Sequence, residues 1–122
     1  MTKYKIYVAS PYSIGNRKEN VKRSILACEQ LWALGLVPYC PLLSHYWDKI
    51  APHTWEDWMR FDLEWLSVCD GVYWLYGESK GAEREVDFAD NAWIPVFIET
   101  TPGSIGGIKD MVEYFHELDR CQ

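Results

Sequence analysis

Positive charge is scarce in this chain. Its 122 residues hold 12 Lys and Arg against 18 Asp and Glu, a formal net charge of -6. That balance disfavours a polyanionic partner, so no nucleic-acid polymer is expected. Long apolar runs are missing too. None approaches the roughly 20 residues that a spanning helix needs, and no membrane partner is expected. Cysteine is sparse: Cys28, Cys40, Cys69 and Cys121, with no Cys-x-x-Cys pair. These read as reduced thiols of a cytoplasmic protein, with Cys28 and Cys69 in the core. The start, Met1-Thr2-Lys3-Tyr4-Lys5, leads directly into a strand pattern without a targeting segment. Internal repeats, linkers and low-complexity stretches are absent, as are Gly-x-Gly-x-x-Gly and Walker patterns. His45, Asp48 and His53 match no zinc spacing, so no metal is expected, and no cofactor is implied.

Aromatic residues, by contrast, are plentiful: 7 Trp, 8 Tyr and 4 Phe. They suit a core of large rings, a pocket for a planar ligand, or an oligomer interface. The length fits one domain spanning 1–122.

Strand patterns alternate with helical ones. Tyr4 to Ala9 reads as a central strand, ending in the loop Ser10 to Arg17 with Asn16 as a helix cap. Val21, Ile25, Cys28 and Trp32 then recur at helical spacing. Leu36 to Tyr39 is a second strand. Pro41 to His53 is expected to be a long irregular loop whose aromatic residues cover a pocket. Thr54 caps a helix that places Trp58, Asp62, Trp65 and Cys69 on one face. Val72 to Leu75 is the third strand. In the helix after it, Ala82, Val86, Ala89 and Trp93 share one face, and Glu85 flanks that face. Ile94 to Ile98 and a final helix with Ile108, Met111, Val112, Phe115 and Leu118 complete the pattern. The order predicts a Rossmann-like, flavodoxin-like α/β domain: a parallel sheet of about four to five strands with helices on both faces.

Ligands of such sheets bind at the carboxyl ends of the strands. The Ser10–Arg17 loop, the Pro41–His53 loop and the Ser79–Glu85 turn collect there. Ser10, Ser13 and Arg17 offer hydroxyls and a cation at a helix N-terminus, suited to an anion or to an ordinary connection. Glu85 lies one turn into a helix behind the Ser79-x-Gly81 turn. Separately, Asp62 is a carboxylate on an otherwise apolar helical face, which calls for a buried partner or a polar cavity.

An ordered set of segments now carries a resemblance. It comprises Lys5-Ile6-Tyr7-Val8-Ala9-Ser10-Pro11-Tyr12-Ser13, Gly35-Leu36-Val37-Pro38 with Pro41, and His45. It continues through Trp58-Met59-Arg60-Phe61-Asp62-Leu63, Cys69-Asp70-Gly71-Val72, Ser79-x-Gly81-Ala82-x-x-Glu85-x-x-x-Ala89 and Ile94-Pro95-Val96. Over roughly residues 4–98 the chain resembles the nucleoside 2-deoxyribosyltransferase-like superfamily. It is most similar to the small bacterial and phage branches near the deoxynucleoside 5'-monophosphate N-glycosidases. The set is specific for the superfamily and not for a substrate.

The resemblance implies that Glu85 is the nucleophile that attacks the anomeric carbon and forms a glycosyl-enzyme intermediate. It implies that Asp62 helps to protonate the leaving base and that Tyr7 orients the nucleophile. Ser10, Ser13, Arg17, His45, Ser79 and Gly81 would then bind the substrate, a small-molecule nucleoside or nucleotide. Ser79 stands where transferases often carry an acid, which favours a 5'-monophosphate. The resemblance also implies a homo-oligomer, and the Trp content gives a physical reason for one. Arg84, beside Glu85, would either keep it ionised or tie it up in a salt bridge. A nucleotide-binding or sensing module without catalysis, or a phage or host interaction protein, stands as the alternative.

Overall fold

Alternation along the first strand sets the layering. In β1 (Lys5–Ala9), Ile6 and Val8 point to one side and Tyr7 and Ala9 to the other, all fully buried. A strand apolar on both sides belongs in the middle of a covered sheet. The computed structural model, which describes residues 3–121, puts it there. The other strands are β2 (Val37–Tyr39), β3 (Gly71–Trp74) and β4 (Val96–Ile98). All pairings are parallel, in the order β2-β1-β3-β4, with Tyr7 opposite Tyr39 on one side and Val72 on the other.

Five α-helices follow among the described residues: α1 (Arg17–Ala33), α2 (Ser44–Ile50), α3 (Trp55–Leu66), α4 (Lys80–Asn91) and α5 (Gly106–Arg120). Ile6 and Val8 pack with Ala27 and Leu31 of α1 and with Ile108, Met111 and Phe115 of α5. Tyr7 and Ala9 pack with Leu66 of α3 and with Ala82, Val86 and Ala89 of α4. This is a flavodoxin-like α/β fold with four parallel strands and helices on both faces.

Short polar side chains start three helices. Asn16 accepts from the Glu19 amide at 3.1 Å, and Ser79 accepts from the Ala82 amide at 3.1 Å. Thr54 and Asp57 form a reciprocal capping box.

The structure corrects several expectations. α1 turns inward on Val21, Ser24, Ala27 and Leu31, while Trp32 is 69% exposed. Small residues at 24 and 27 let the helix lie close to the sheet, and the Ser24 hydroxyl finds the Cys40 sulfur at 3.2 Å. Residues 41–53 are not one irregular loop: a 3-10 turn (Pro41–Leu43) leads into α2. On α3 the inward residues are Met59, Asp62 and Leu66, with Trp65 half exposed. Trp93 lies beyond α4 at a positive φ of 61°, turned fully outward. Cys40 is the buried thiol, whereas Cys28 and Cys69 are half-buried beside the two apolar clusters. The N-terminal strand approach is described from Lys3 onward; Met1 and Thr2 lie outside the described residues. No described helix is long and apolar enough to cross a membrane.

Candidate active site

The strand order reverses direction between β1 and β3, because the chain leaves β1 toward β2 and returns across it to β3. Beyond the carboxyl ends of these two strands lies a cavity of about 510 Å³. Its walls come from the loop after β1, from the segment around α2, from α3 and from the start of α4.

Two carboxylic side chains line it, and a phenol stands behind one of them. Tyr7 rises from β1 and donates a short hydrogen bond from its hydroxyl to Oε2 of Glu85 on α4. Asp62 of α3 lines the same cavity. All three are buried, and the Asp62 Oδ1 atom meets no hydrogen-bond partner among the described residues. Burial pushes Asp62 up to about 7. Glu85 is pushed up to about 8, chiefly by burial and in addition by the Asp62 charge, against the opposing pull of the Tyr7 hydrogen bond. Tyr7 lies well above its ordinary range, from burial first and then from the charges of Glu85 and Asp62. It therefore remains protonated and donates.

A third buried carboxylate is instructive by contrast. Glu99 receives the Arg23 guanidinium at 2.6 Å, the Tyr76 amide at 3.0 Å and the Gly103 amide at 3.1 Å. That is how a structural carboxylate is made tolerable. Among the described residues no cation pairs with Glu85 or Asp62. Two acids with raised proton affinity thus face one cavity.

Seven of the expected residues meet at this cavity. Glu85 and Asp62 are joined there by Ser10 and Ser13 from the β1 loop and by His45 from α2. Ser79 and Gly81 add the N-terminus of α4. Tyr7 stands behind Glu85 through its hydrogen bond. Arg17 is not on the wall: its guanidinium lies over the Tyr12 ring, 5.3 Å from the centroid, and Tyr12 lines the cavity. Arg84 takes neither expected role toward Glu85. It binds Glu56 at 3.1 Å and covers the Trp55 ring at 5.4 Å. Among the described residues no group of three or more His, Cys, Asp or Glu side chains converges as a metal set.

The expectation missed Tyr12, Trp55 and Met59, all on the wall. Trp55, Met59 and Asp62 fall at i, i+4 and i+7 of α3, so the period that exposes Asp62 also carries them. Tyr12 had no comparable signal, being one aromatic residue in a loop.

A family model described as "Domain of unknown function (DUF7768)" matches residues 4–99. The chain belongs to this family. The matched span of this DUF7768 member runs from β1 through β4 and so contains Tyr7, Asp62 and Glu85. Among solved structures, the chain is similar to the 2-deoxyribosyltransferase from the psychrotolerant bacterium Bacillus psychrosaccharolyticus. The two are 24% identical over 83% of this chain and 75% of that chain, with a TM-score of 0.58. That likeness is one of fold. No curated protein matches the sequence.

Proposed function

We propose that this protein cleaves or transfers the N-glycosidic bond of a ribo- or deoxyribonucleoside, or of its 5'-monophosphate, within one nucleoside 2-deoxyribosyltransferase-like domain. The observation that carries the reading is the uncompensated pair Glu85 and Asp62 at one end of the cavity, with Tyr7 bonded to Glu85. The Glu85 carboxylate attacks C1' of the sugar as the bond from C1' to the base nitrogen breaks. The base leaves with the electron pair and takes a proton from the Asp62 carboxyl. The sugar is now esterified to Glu85. Water, losing a proton to the Asp62 carboxylate, or a second base then takes the sugar and frees Glu85. Tyr7 holds the nucleophilic carboxylate in place by its hydrogen bond.

The polar groups of the site support a 5'-phosphate. Helix α4 begins at the cavity, with Ser79 as its cap, and Lys80, Gly81, Ser10 and Ser13 all line it. Arg17 would act at longer range from above Tyr12. The name of the structurally similar Bacillus enzyme, a 2-deoxyribosyltransferase, supports the class of reaction. Four free cysteines suit a reducing cytoplasm, and exposed Trp32 and Trp93 suit self-association into a homo-oligomer.

A second reading, nucleotide binding without cleavage, draws on the burial of Glu85, since a glutamate kept protonated near neutrality is a poor nucleophile. Chromatography separates the two. The protein is incubated with ribo- and deoxyribonucleosides and their 5'-monophosphates, beside the Glu85→Ala variant. Free base that disappears in the variant is the expected result. A folded parent that binds these compounds and releases no base would leave the binding reading.

A further inference from the structure

Two more buried polar atoms on the cavity wall, besides Asp62 Oδ1, have no hydrogen-bond partner among the described residues: Ser10 Oγ and His45 Nε2. A hydroxyl turns to suit its surroundings, but an imidazole ring held on both sides does not. His45 packs edge-on against Tyr12, with centroids 5.6 Å apart, and against Tyr46, at 5.1 Å. Its other ring nitrogen, Nδ1, lies 2.5 Å from the Tyr12 hydroxyl. What His45 shows to the cavity therefore depends on which way that hydrogen bond runs.

Chemistry gives the direction. A phenol O–H is a far stronger donor than a neutral imidazole N–H, and an imidazole lone pair accepts better than a phenol oxygen. The imidazole is neutral because burial lowers its proton affinity, and Lys49, Arg17 and Lys18 lower it further against the single opposing charge of Asp48. Burial raises the Tyr12 phenol, more than Arg17 lowers it, so it keeps its proton. The Tyr12 O–H thus donates to Nδ1, and the ring hydrogen sits on Nε2.

We propose that Tyr12 is a positioning residue: it locks His45 in the tautomer with hydrogen on Nε2, so that the cavity presents a fixed, uncharged donor and selects ligands that place an acceptor against it. A buried N–H with no protein partner is costly, and a ligand oxygen or ring nitrogen removes that cost. Only the nature of the ligand rests on the nucleotide reading above. On that reading the acceptor is either a phosphate oxygen or a group of the nucleoside itself.

The test has two arms. Long-range proton–nitrogen correlation spectra of the free protein report the tautomer of each of the 3 histidines, with His45 assigned by its loss in His45→Gln. The parent is expected to show hydrogen on Nε2 alone, and Tyr12→Phe a mixture of tautomers. Hydrogen on Nδ1 in the parent, or an unchanged pattern in Tyr12→Phe, would overturn the proposal whatever the ligand proves to be. The second arm titrates deoxynucleosides and their 5'-monophosphates into Glu85→Gln protein, which is not expected to turn them over. Adding His45→Phe should weaken binding about tenfold. His45→Gln keeps a donor near the Nε2 position and should stay within about threefold on the same scale. Equal losses for both would count against the donor role. A loss confined to monophosphates assigns the acceptor to phosphate, and an equal loss for nucleosides assigns it to the nucleoside. Failure of every probe to bind would remove the nucleotide reading, while the tautomer spectra would still decide the role of Tyr12.

Discussion

The two faces of the sheet use the same strands and follow opposite rules. Toward α1 and α5 the buried cluster is apolar throughout, from Ile6 and Val8 to Leu31, Met111 and Phe115. Tyr4 and Tyr73 bring hydroxyls to it, and that of Tyr4 reaches Asp119 at 2.5 Å. Toward α3 and α4 the cluster is smaller, and it shares its space with Glu85, Asp62 and the Tyr7 hydroxyl. Burying two carboxyl groups without a cation opposes folding. One face therefore supplies stability, and the other tolerates a destabilising arrangement. Glu99, equally buried but fully partnered, shows that this chain can neutralise an acid where nothing else is required of it.

Substitutions that exchange the two rules should break this contrast. The largest effect is expected at Glu85: Glu85→Gln keeps the shape, removes the proposed nucleophile, and should lower base release by at least about a thousandfold. Asp62→Asn should lower it by about a hundred- to ten-thousandfold, with less loss for substrates whose base leaves without protonation, as steady-state kinetics would report. On the opposite face the outcome inverts. Leu31→Ala should cost about 2–5 kcal/mol in denaturant unfolding and leave kcat of the folded protein unchanged.

A smaller effect is expected from pH. The proposed first step needs Glu85 ionised and Asp62 protonated, and because Glu85 holds its proton more tightly than Asp62 this is the minor of the two singly protonated forms, so the limbs of the kcat/KM profile belong to the pair and to neither acid alone. With the pair titrating near 7 and 8, the profile should be a narrow bell between those values. A rate flat from pH 6 to 9 would be incompatible with the proposed roles of this pair.

The layering of the fold was legible because strand and helix periods alternate cleanly and β1 is apolar on both sides. Glu85 and Asp62 stood out for one physical reason, that each is an acid within or beside an apolar helical stripe. Helix rotation was harder to read. In α1 the spacing of large residues pointed to Ile25 and Trp32, yet close packing on the sheet selected Ser24 and Ala27. Partner choice between side chains was not legible at all. Arg84 turns to Glu56, Arg17 to the Tyr12 ring, and Tyr12 to His45 across 33 positions. Such pairings depend on how loops and helices meet in space, which local periodicity does not encode.

The central claim is that a burial of Glu85 that opposes folding is kept because this carboxyl acts on a ligand. Its most direct test measures unfolding free energy against pH and base release at pH about 7.5, in the same preparations of the parent and Glu85→Gln. A buried carboxyl raised to about 8 binds its proton more tightly in the folded state than in the unfolded one. Its stabilising protonated form is therefore fully present below the unfolded value near 4, and stability falls as pH rises from there through about 8. The account predicts that this decline is shallower in Glu85→Gln, that the variant is at least as stable as the parent at pH 8, and that it releases no base. Parallel stability curves, or base release that survives the substitution, would contradict it.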